Sequence, residues 1–508
     1  MRNLIKFLTS RLVICFVLIA AQIYFIISWM YDLALLHALT PLVELFSFLL
    51  AVVVINREED SSFKMIWLVL ILAVPIVGIV LYLLCAGRKM PKRLANGTTS
   101  ANSRMKYLLR QNSEVLSAAM RSEQAYPLFY HAFHSSGFPV YGNTASTYFK
   151  SGEEWYPVFL TRLREAKHFI FLEYFIINDG PLWEEVLSIL KQKAQEGVEV
   201  KLIYDDMGSL SLPMRYTGTL AKMGIEAYAF NRLRPQLLIQ MNNRDHRKIC
   251  VIDNVCGFTG GVNLSDEYIN TKKRHGYWRD SAIMIEGDAV WSLTVMFLGM
   301  YSYLKKDDRD IDYAKYRLAY PTTGQNKGYY QPFSDTPTDA ADLGLDMHRN
   351  MILHARRYVY IDTPYLILND VMRSALCLAA DNGVDVRIMT PHIPDKIVIL
   401  AMTRGNYMEL LKHGVRIFEF TPGFNHTKNF VVDDRFGIVG TVNMDYRSYY
   451  LHFENGVLFD DPSIAIQMRR AYEEGLAQAK EVTLEECRKT NVFIRMARGV
   501  ANLFAPLC

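Results

Sequence analysis

Two kinds of apolar pattern divide the chain: long unbroken runs at the front, and short runs spaced by polar residues thereafter. Residues 12–30, LVICFVLIAAQIYFIISWM, carry no charge and are long enough to cross a bilayer as one helix. Residues 65–85, MIWLVLILAVPIVGIVLYLLC, repeat the pattern. Pro75 and Gly78 are tolerable there because a membrane helix re-satisfies its backbone locally. Residues 33–55 are apolar but interrupted by His37, Pro41 and Glu44, a weaker span. The pattern predicts an N-terminal transmembrane anchor of two or three helices over residues 1–90. The first run is too long for a signal-peptide core and no small-x-small site follows it, so the anchor is expected to stay attached. Basic clusters at Arg2, Lys6 and Arg11 and at Arg88, Lys89, Lys92 and Arg93 both favour the cytoplasmic side, which an even number of spans satisfies.

Residues 91–125 begin polar and basic and read as a linker. Beyond them, short β-branched and aromatic runs alternate with helical stretches, the pattern of an α/β protein. The pattern also repeats. AKHFIFLE (166–173) matches ARRYVYID (355–362), GVEVKLI (197–203) matches GVDVRIM (383–389), and KMGIEAY (222–228) matches KHGVRIF (412–418). Three matches in one order, with a fourth at the motifs below, predict two homologous α/β halves, each a sheet covered by helices on both faces. The halves are expected over 126–310 and 346–508, with a polar connector at 311–345. A period this long signals domain duplication, not a solenoid.

Composition changes this picture little. The chain of 508 residues is 51% hydrophobic, and its formal net charge of +4 gives no global reason to expect nucleic acid. Seven cysteines, none in a CxxC pair, argue against a disulfide framework or a zinc site. His131 and His134 are three apart in HAFH but lack a third ligand nearby, so no metal is expected there. The tail NVFIRMARGVANLFAPLC mixes Arg495 and Arg498 with large apolar residues, which suits either a membrane surface or its own domain.

The chemistry lies in a doubled motif. His246-x-Lys248 leads an apolar run closed by Asp253, and His426-x-Lys428 leads one closed by Asp433. Residues two apart on a strand share a face, so each histidine and lysine project together. Each aspartate stands at an odd offset and is expected on the other side, supporting the fold. After six intervening residues come Gly260, Gly261 and Asn263 in one copy, and Gly440, Thr441 and Asn443 in the other. The small residues would let the backbone pass close to a bound group, and each asparagine would add a neutral donor. Two histidines, two lysines and two asparagines suit a tetrahedral oxyanion such as phosphate. One imidazole can attack phosphorus and form a phosphohistidine while the other protonates the departing alkoxide. Each histidine needs an acceptor on its second nitrogen. Asp280 in WRD and Glu454 in HFEN, each downstream of the histidine in its own half, are the candidates. No phosphate loop, dinucleotide fingerprint or HExxH helix is present, and exchange of phosphodiesters needs no cofactor.

HxKxxxxDxxxxxxGGxN and its second copy resemble the HKD signature of the phospholipase D superfamily. The strings PIVGIVLYLLCAGRK (75–89), NNRDHRKICVID (242–253), FNHTKNFVVDD (424–434) and VGTVNMDYRSYYLHFENG (439–456) are similar to bacterial cardiolipin synthases of that type. The resemblance runs from about residue 50 to the C-terminus. It implies two phospholipase D-type α/β/α domains related by a pseudo-twofold axis. It further implies that His246, Lys248, Asp253, His426, Lys428 and Asp433 form one composite site, with His246 as nucleophile. The implied activity is transfer of a phosphatidyl group between two phosphatidylglycerol molecules, with anionic phospholipids and the cell membrane as partners. The strong run at 12–30 stands in front of the two-span anchor usual in the family. A phospholipid hydrolase is the nearest competing activity, because the motif alone does not choose between water and alcohol as acceptor. A nuclease would need a strongly basic, aromatic-laced groove that is not evident. A non-catalytic lipid-binding scaffold is disfavoured by intact motifs in both halves.

Overall fold

The computed structural model describes residues 40–85, 90–233, 242–306, 311–318 and 328–507, together with Tyr24 and Ser28. The first half carries β1 (Thr144–Phe149), β2 (Phe169–Tyr174), β3 (Glu199–Asp205), β4 (Glu226–Phe230), β5 (Lys248–Ile252), β6 (Cys256–Gly260), β7 (Tyr277–Arg279) and β8 (Ala282–Gly287). Seven of these form one sheet in the order β1-β8-β6-β5-β2-β3-β4. β2, β3 and β4 are parallel, whereas β5, β6, β8 and β1 join antiparallel. Every residue of β2 is buried, as expected of a central strand with helices on both faces.

The second half repeats the plan with β9 (Tyr329–Asp335), β10 (Tyr358–Asp362), β11 (Asp385–Pro391), β12 (Arg416–Phe420), β13 (Gly423–Asn425), β14 (Asn429–Val432), β15 (Phe436–Gly440), β16 (Glu454–Asp460) and β17 (Ala479–Val482). Its sheet runs β17-β12-β11-β10-β14-β15-β16-β9. The three matched sequence pairs fall on β2 and β10, β3 and β11, and β4 and β12, so the duplication read from the chain is a duplication of strands. β9 pairs antiparallel with β16 and is one of the second sheet's two edge strands. The expected connector 311–345 therefore ends inside the second domain.

The halves share one interior. The helix Val290–Lys305 buries every residue from Val290 to Ser302 and belongs to neither surface. Phe297 on it stacks on Phe171 of β2 at 4.5 Å, and Tyr472 of the helix Pro462–Leu476 stacks on Tyr360 of β10 at 5.0 Å. These rings join one core cluster that draws on both sheets. Each fully buried large apolar side chain contributes about 1.5–3 kcal/mol, so the two halves stabilise each other.

Two expectations at the front of the chain need correction. Among the described residues, no helix is long and apolar enough to cross a membrane. The run 65–85 is not one span. It lies in two helices, Ser61–Ala73 and Pro75–Cys85, broken at Val74 (φ −137°, ψ 74°). Pro75 disfavours the helical conformation in the residue before it and sits well at a helix start. The two helices fold back on each other. Trp67 and Tyr82 would lie about 22 Å apart along one straight helix, yet their rings meet at 5.5 Å. Gly78 permits this, since a Cβ there would fall 2.2 Å from the Leu70 carbonyl oxygen. The segment 33–55 yields a helix at Thr40–Ile55, and the run 12–30 lies outside the described residues apart from Tyr24 and Ser28. Much of the expected linker is also ordered: Lys92–Lys106 is a helix with Leu94, Thr98, Ala101 and Met105 buried, and Arg104 donates to the Ser302 hydroxyl at 2.7 Å.

Candidate active site

Each histidine of the doubled motif enters its strand by leaning on the opposite half. The His246 N–H donates to the Phe453 carbonyl at 2.9 Å, and the Phe453 N–H donates to the Arg244 carbonyl at 2.8 Å. In the other direction, the His426 N–H donates to the Arg279 carbonyl at 2.7 Å. β13 and β7 pair as a small parallel ribbon just before it. Phe453 precedes Glu454, and Arg279 precedes Asp280, so this backbone exchange decides which carboxylate meets which ring. His246 Nδ1 lies 2.9 Å from both carboxylate oxygens of Glu454. His426 Nδ1 lies 2.7 Å from Asp280 Oδ2. The two acids are the ones expected, but their partners are exchanged: each serves the histidine of the other half.

The flanking small residues serve those acids. A Cβ on Gly261 would fall 1.9 Å from Asp280 Oδ1, so the glycine makes room for the carboxylate and not for a bound group. At the matching position the Thr441 hydroxyl donates to Glu454 Oε2. Gly260 (φ +145°) and Gly440 let the neighbouring strand pass, with Cβ positions 2.5 Å from the Ser281 carbonyl oxygen and 2.6 Å from that of Asn455. Asp253 and Asp433 turn away from the rings. Asp253 accepts from the N–H groups of Lys167, His168 and Phe169 at 2.7–2.8 Å, and Asp433 from those of Arg356, Arg357 and Tyr358 at 2.8–3.0 Å. Each carboxylate thereby anchors the start of its central strand.

The asparagines differ. Asn263 is engaged at both ends, accepting from the Ile176 N–H at 3.0 Å and donating one amide hydrogen to the Tyr268 hydroxyl at 2.7 Å. Asn443 is buried, and its Oδ1 has no hydrogen-bond partner among the described residues. Lys248 and Lys428 are buried too, each donating to the carbonyl of its own histidine, the first at 2.6 Å.

Charge ties the parts into one site. Burial pushes Lys248 down to about 8 against the pull of Glu454 and Asp280. Burial also pushes Lys428 down to about 7, with Asp280 opposing and Lys248 adding to the shift. Each lysine thus feels the carboxylates of both halves. His246 is lowered to about 3, chiefly by burial with Lys248 contributing, and His426 falls well below its usual value through burial, Lys428 and Lys248. Burial raises Asp280 to about 6 despite Lys428. Both imidazoles are therefore neutral at pH 7, with Nδ1–H given to a carboxylate and Nε2 left as a lone-pair donor.

Several neighbours of the rings carry no motif signal. Phe175 meets His246 edge-on at 5.0 Å, and Tyr268 meets His426 at 5.5 Å. Two residues before each acid stand His452, 5.4 Å from His246, and Trp278, 5.2 Å from His426. This difference breaks the symmetry of the two halves, and the paired HFEN and WRD strings held the signal. Potential ligand atoms of His246, His452 and Glu454 lie within 4.8 Å of one another, a set able to hold a metal ion. The earlier pair diverges: His131 contacts Asp346 at 3.3 Å, and His134 stacks on Tyr130.

Two α/β repeats that share paired histidines and crossed carboxylates define the phospholipase D-like class. The family described as "Cardiolipin synthase, PLD-like domain" matches residues 159–285 and 349–475, and "Phospholipase_D-nuclease N-terminal" matches 45–86. A Streptococcus mutans protein described as uncharacterized is 42% identical over 459 residues, 89% of this chain and 98% of its own. Cardiolipin synthase 2 of Bacillus anthracis is 32% identical over 464 residues, 91% of this chain and 90% of its own. The crystal structure of phosphatidylserine synthase from Haemophilus influenzae is similar in fold, with a TM-score of 0.55 at 16% identity, covering 71% of this chain and 92% of that one. The chain belongs to the phospholipase D-like cardiolipin synthase family.

Proposed function

We propose that this protein is a membrane-associated phosphatidyltransferase that converts two phosphatidylglycerol molecules into cardiolipin and glycerol. The observation that carries the reading is the crossed pairing, His246 with Glu454 and His426 with Asp280, beside two buried lysines. One half alone supplies a histidine without its acid.

In this reading the phosphodiester anion enters between Lys248 and Lys428, whose donors take its non-bridging oxygens. Its negative charge offsets the lysine field and raises the imidazoles, so that His426 accepts a proton once lipid is bound. His246 Nε2 attacks phosphorus; the P–O bond to glycerol breaks, and His426 gives its proton to the departing oxygen. The covalent product is phosphatidyl-His246. The hydroxyl of a second phosphatidylglycerol then loses its proton to His426 and attacks phosphorus from the vacated side, forming cardiolipin and restoring free His246. Glu454 and Asp280 hold each ring's tautomer throughout.

The test supplies phosphatidylglycerol to the purified full chain and follows both products. Glycerol and cardiolipin in equal amounts are expected, with none from His246→Ala. Phosphatidic acid as the main product would replace the transferase with a hydrolase. Unchanged cardiolipin output from His246→Ala would overturn the covalent route.

A further inference from the structure

The C-terminal helix Val492–Leu503 is built inside out. It crosses the helix Ile397–Lys412 where Gly405 lies, and it turns polar residues toward the protein there. A Cβ on Gly405 would fall 2.2 Å from Asn502 Nδ2 and 3.7 Å from Arg498 Cβ. Arg498 is half-buried, its guanidinium lowered by burial and by Arg404 beside it. The opposite stripe is apolar and open: Val492, Phe493, Met496 and Val500 are 58%, 75%, 63% and 59% exposed. Positions i, i+1, i+4 and i+8 lie along one face. A surface helix in water buries such a stripe and shows its polar side, and this one does the reverse.

The open stripe is part of a larger belt. The helix Ser61–Ala73 touches the C-terminal helix and exposes Met65, Val69 and Leu72. The belt also reaches the catalytic side. At the start of Ser61–Ala73, Asp60 accepts from Asn369 and Tyr450 at 3.3 Å, and Ser62 bonds the Tyr446 hydroxyl at 2.8 Å. Tyr446–Tyr450 is the short helix directly after the Asn443 loop. Ile397, 81% exposed, follows Lys396, whose charge is felt by His426. Exposed Arg495, Arg488 and Lys489 flank the stripe, the arrangement of a helix lying in an anionic lipid interface. The wholly uncharged run at 12–30 shortly precedes the same belt in the chain.

We propose that the outward face of Val492–Leu503, with the first turn of Ile397–Lys412, is a lipid-docking face that seats the catalytic mouth on the bilayer. The inference rests on the reading that the substrate is a bilayer lipid. Its first test uses the full chain in phosphatidylglycerol vesicles with brominated acyl chains. The added fluorescence of Phe493→Trp over the parent protein is quenched, and that of Lys191→Trp, exposed on the helix Pro181–Gln195 of the first half, is not. The second test compares substrate forms. Phe493→Asp with Met496→Asp lowers turnover of vesicle-borne phosphatidylglycerol by about tenfold, while turnover of short-chain phosphatidylglycerol dispersed as monomers is kept. Unquenched added fluorescence from Phe493→Trp, or equal loss on both substrate forms, overturns the docking face. So does a wild-type dimer in detergent that the double variant abolishes, which would assign the stripe to a second copy. A wild-type chain that makes no cardiolipin from either form overturns the function and leaves the quenching result to judge the surface by itself.

Discussion

Replacing Lys428 by methionine separates the chemistry of the site from the stability of the fold. Lysine titrates near 10.4 in water, whereas burial holds Lys428 at about 7. Below about 7 both folded and unfolded chains carry the charge, and its burial costs the fold the full difference. As pH rises from about 7 toward the unfolded value, the native state binds fewer protons than the unfolded state, so stability climbs. At pH 7 the penalty is about 4 kcal/mol. That penalty is already net of the attraction for Asp280, so methionine of similar length removes it and loses only the hydrogen bond to the His426 carbonyl, worth about 1 kcal/mol. The net expectation is a gain of about 3 kcal/mol in stability at pH 7, and loss of the upward slope above it. Turnover moves the other way, down by about 10²–10³-fold, as when one preorganised donor to a transition-state oxyanion is removed. Lipid binding should change only a few-fold. Denaturant unfolding in detergent across pH 6–10, beside glycerol release under saturating phosphatidylglycerol, measures both. A less stable variant that retains turnover, or equal losses in binding and turnover, would refute the reasoning.

Three further outcomes follow from the same geometry. Wild-type activity falls as pH drops through about 6, where Asp280 takes a proton and releases the His426 tautomer; Asp280→Asn lowers kcat by about 10³–10⁴-fold and flattens that limb of the pH–rate profile. Because the folded value of Asp280 lies above the unfolded one, its contribution to stability grows as pH falls from about 6 to about 4, and the variant lacks that gain in pH-dependent unfolding. Asp253→Ala leaves three strand-start N–H groups without their acceptor and costs about 3 kcal/mol, while turnover per folded molecule is kept; selective loss of turnover would return Asp253 to the chemistry. Gly261→Ala forces Asp280 to move, since the new Cβ would sit 1.9 Å from its oxygen, and turnover drops with little change in lipid binding.

The repeats and the candidate site residues were legible because strand runs and motif spacings are local. Short apolar runs and the spacing within each motif depend only on residues near one another in the chain, and the four matching blocks repeat them in the same order. An odd offset along a strand also predicts Asp253 and Asp433 away from the rings; the structure turns them away by another route, a left-handed turn just past the end of each strand (φ +55° and +56°). Local reasoning went astray where chain direction changes. At Val74–Pro75, hydrophobicity was continuous but the backbone was not, so one expected span is a folded-back pair. In the polar stretch 92–106, four modest side chains sufficed to dock a helix that composition alone marks as a linker.

Sequence alone determined the chemistry on offer: two histidine–lysine pairs, two acids, and a duplicated scaffold to carry them. Only the tertiary structure decided that Glu454 serves His246 and Asp280 serves His426, and that the Asn263 oxygen has a partner while the Asn443 oxygen has none among the described residues. The physical reason is that these partnerships are set by backbone hydrogen bonds between the halves, at Phe453 and Arg279. Such contacts join residues far apart in the chain and leave no mark on the spacing of either motif.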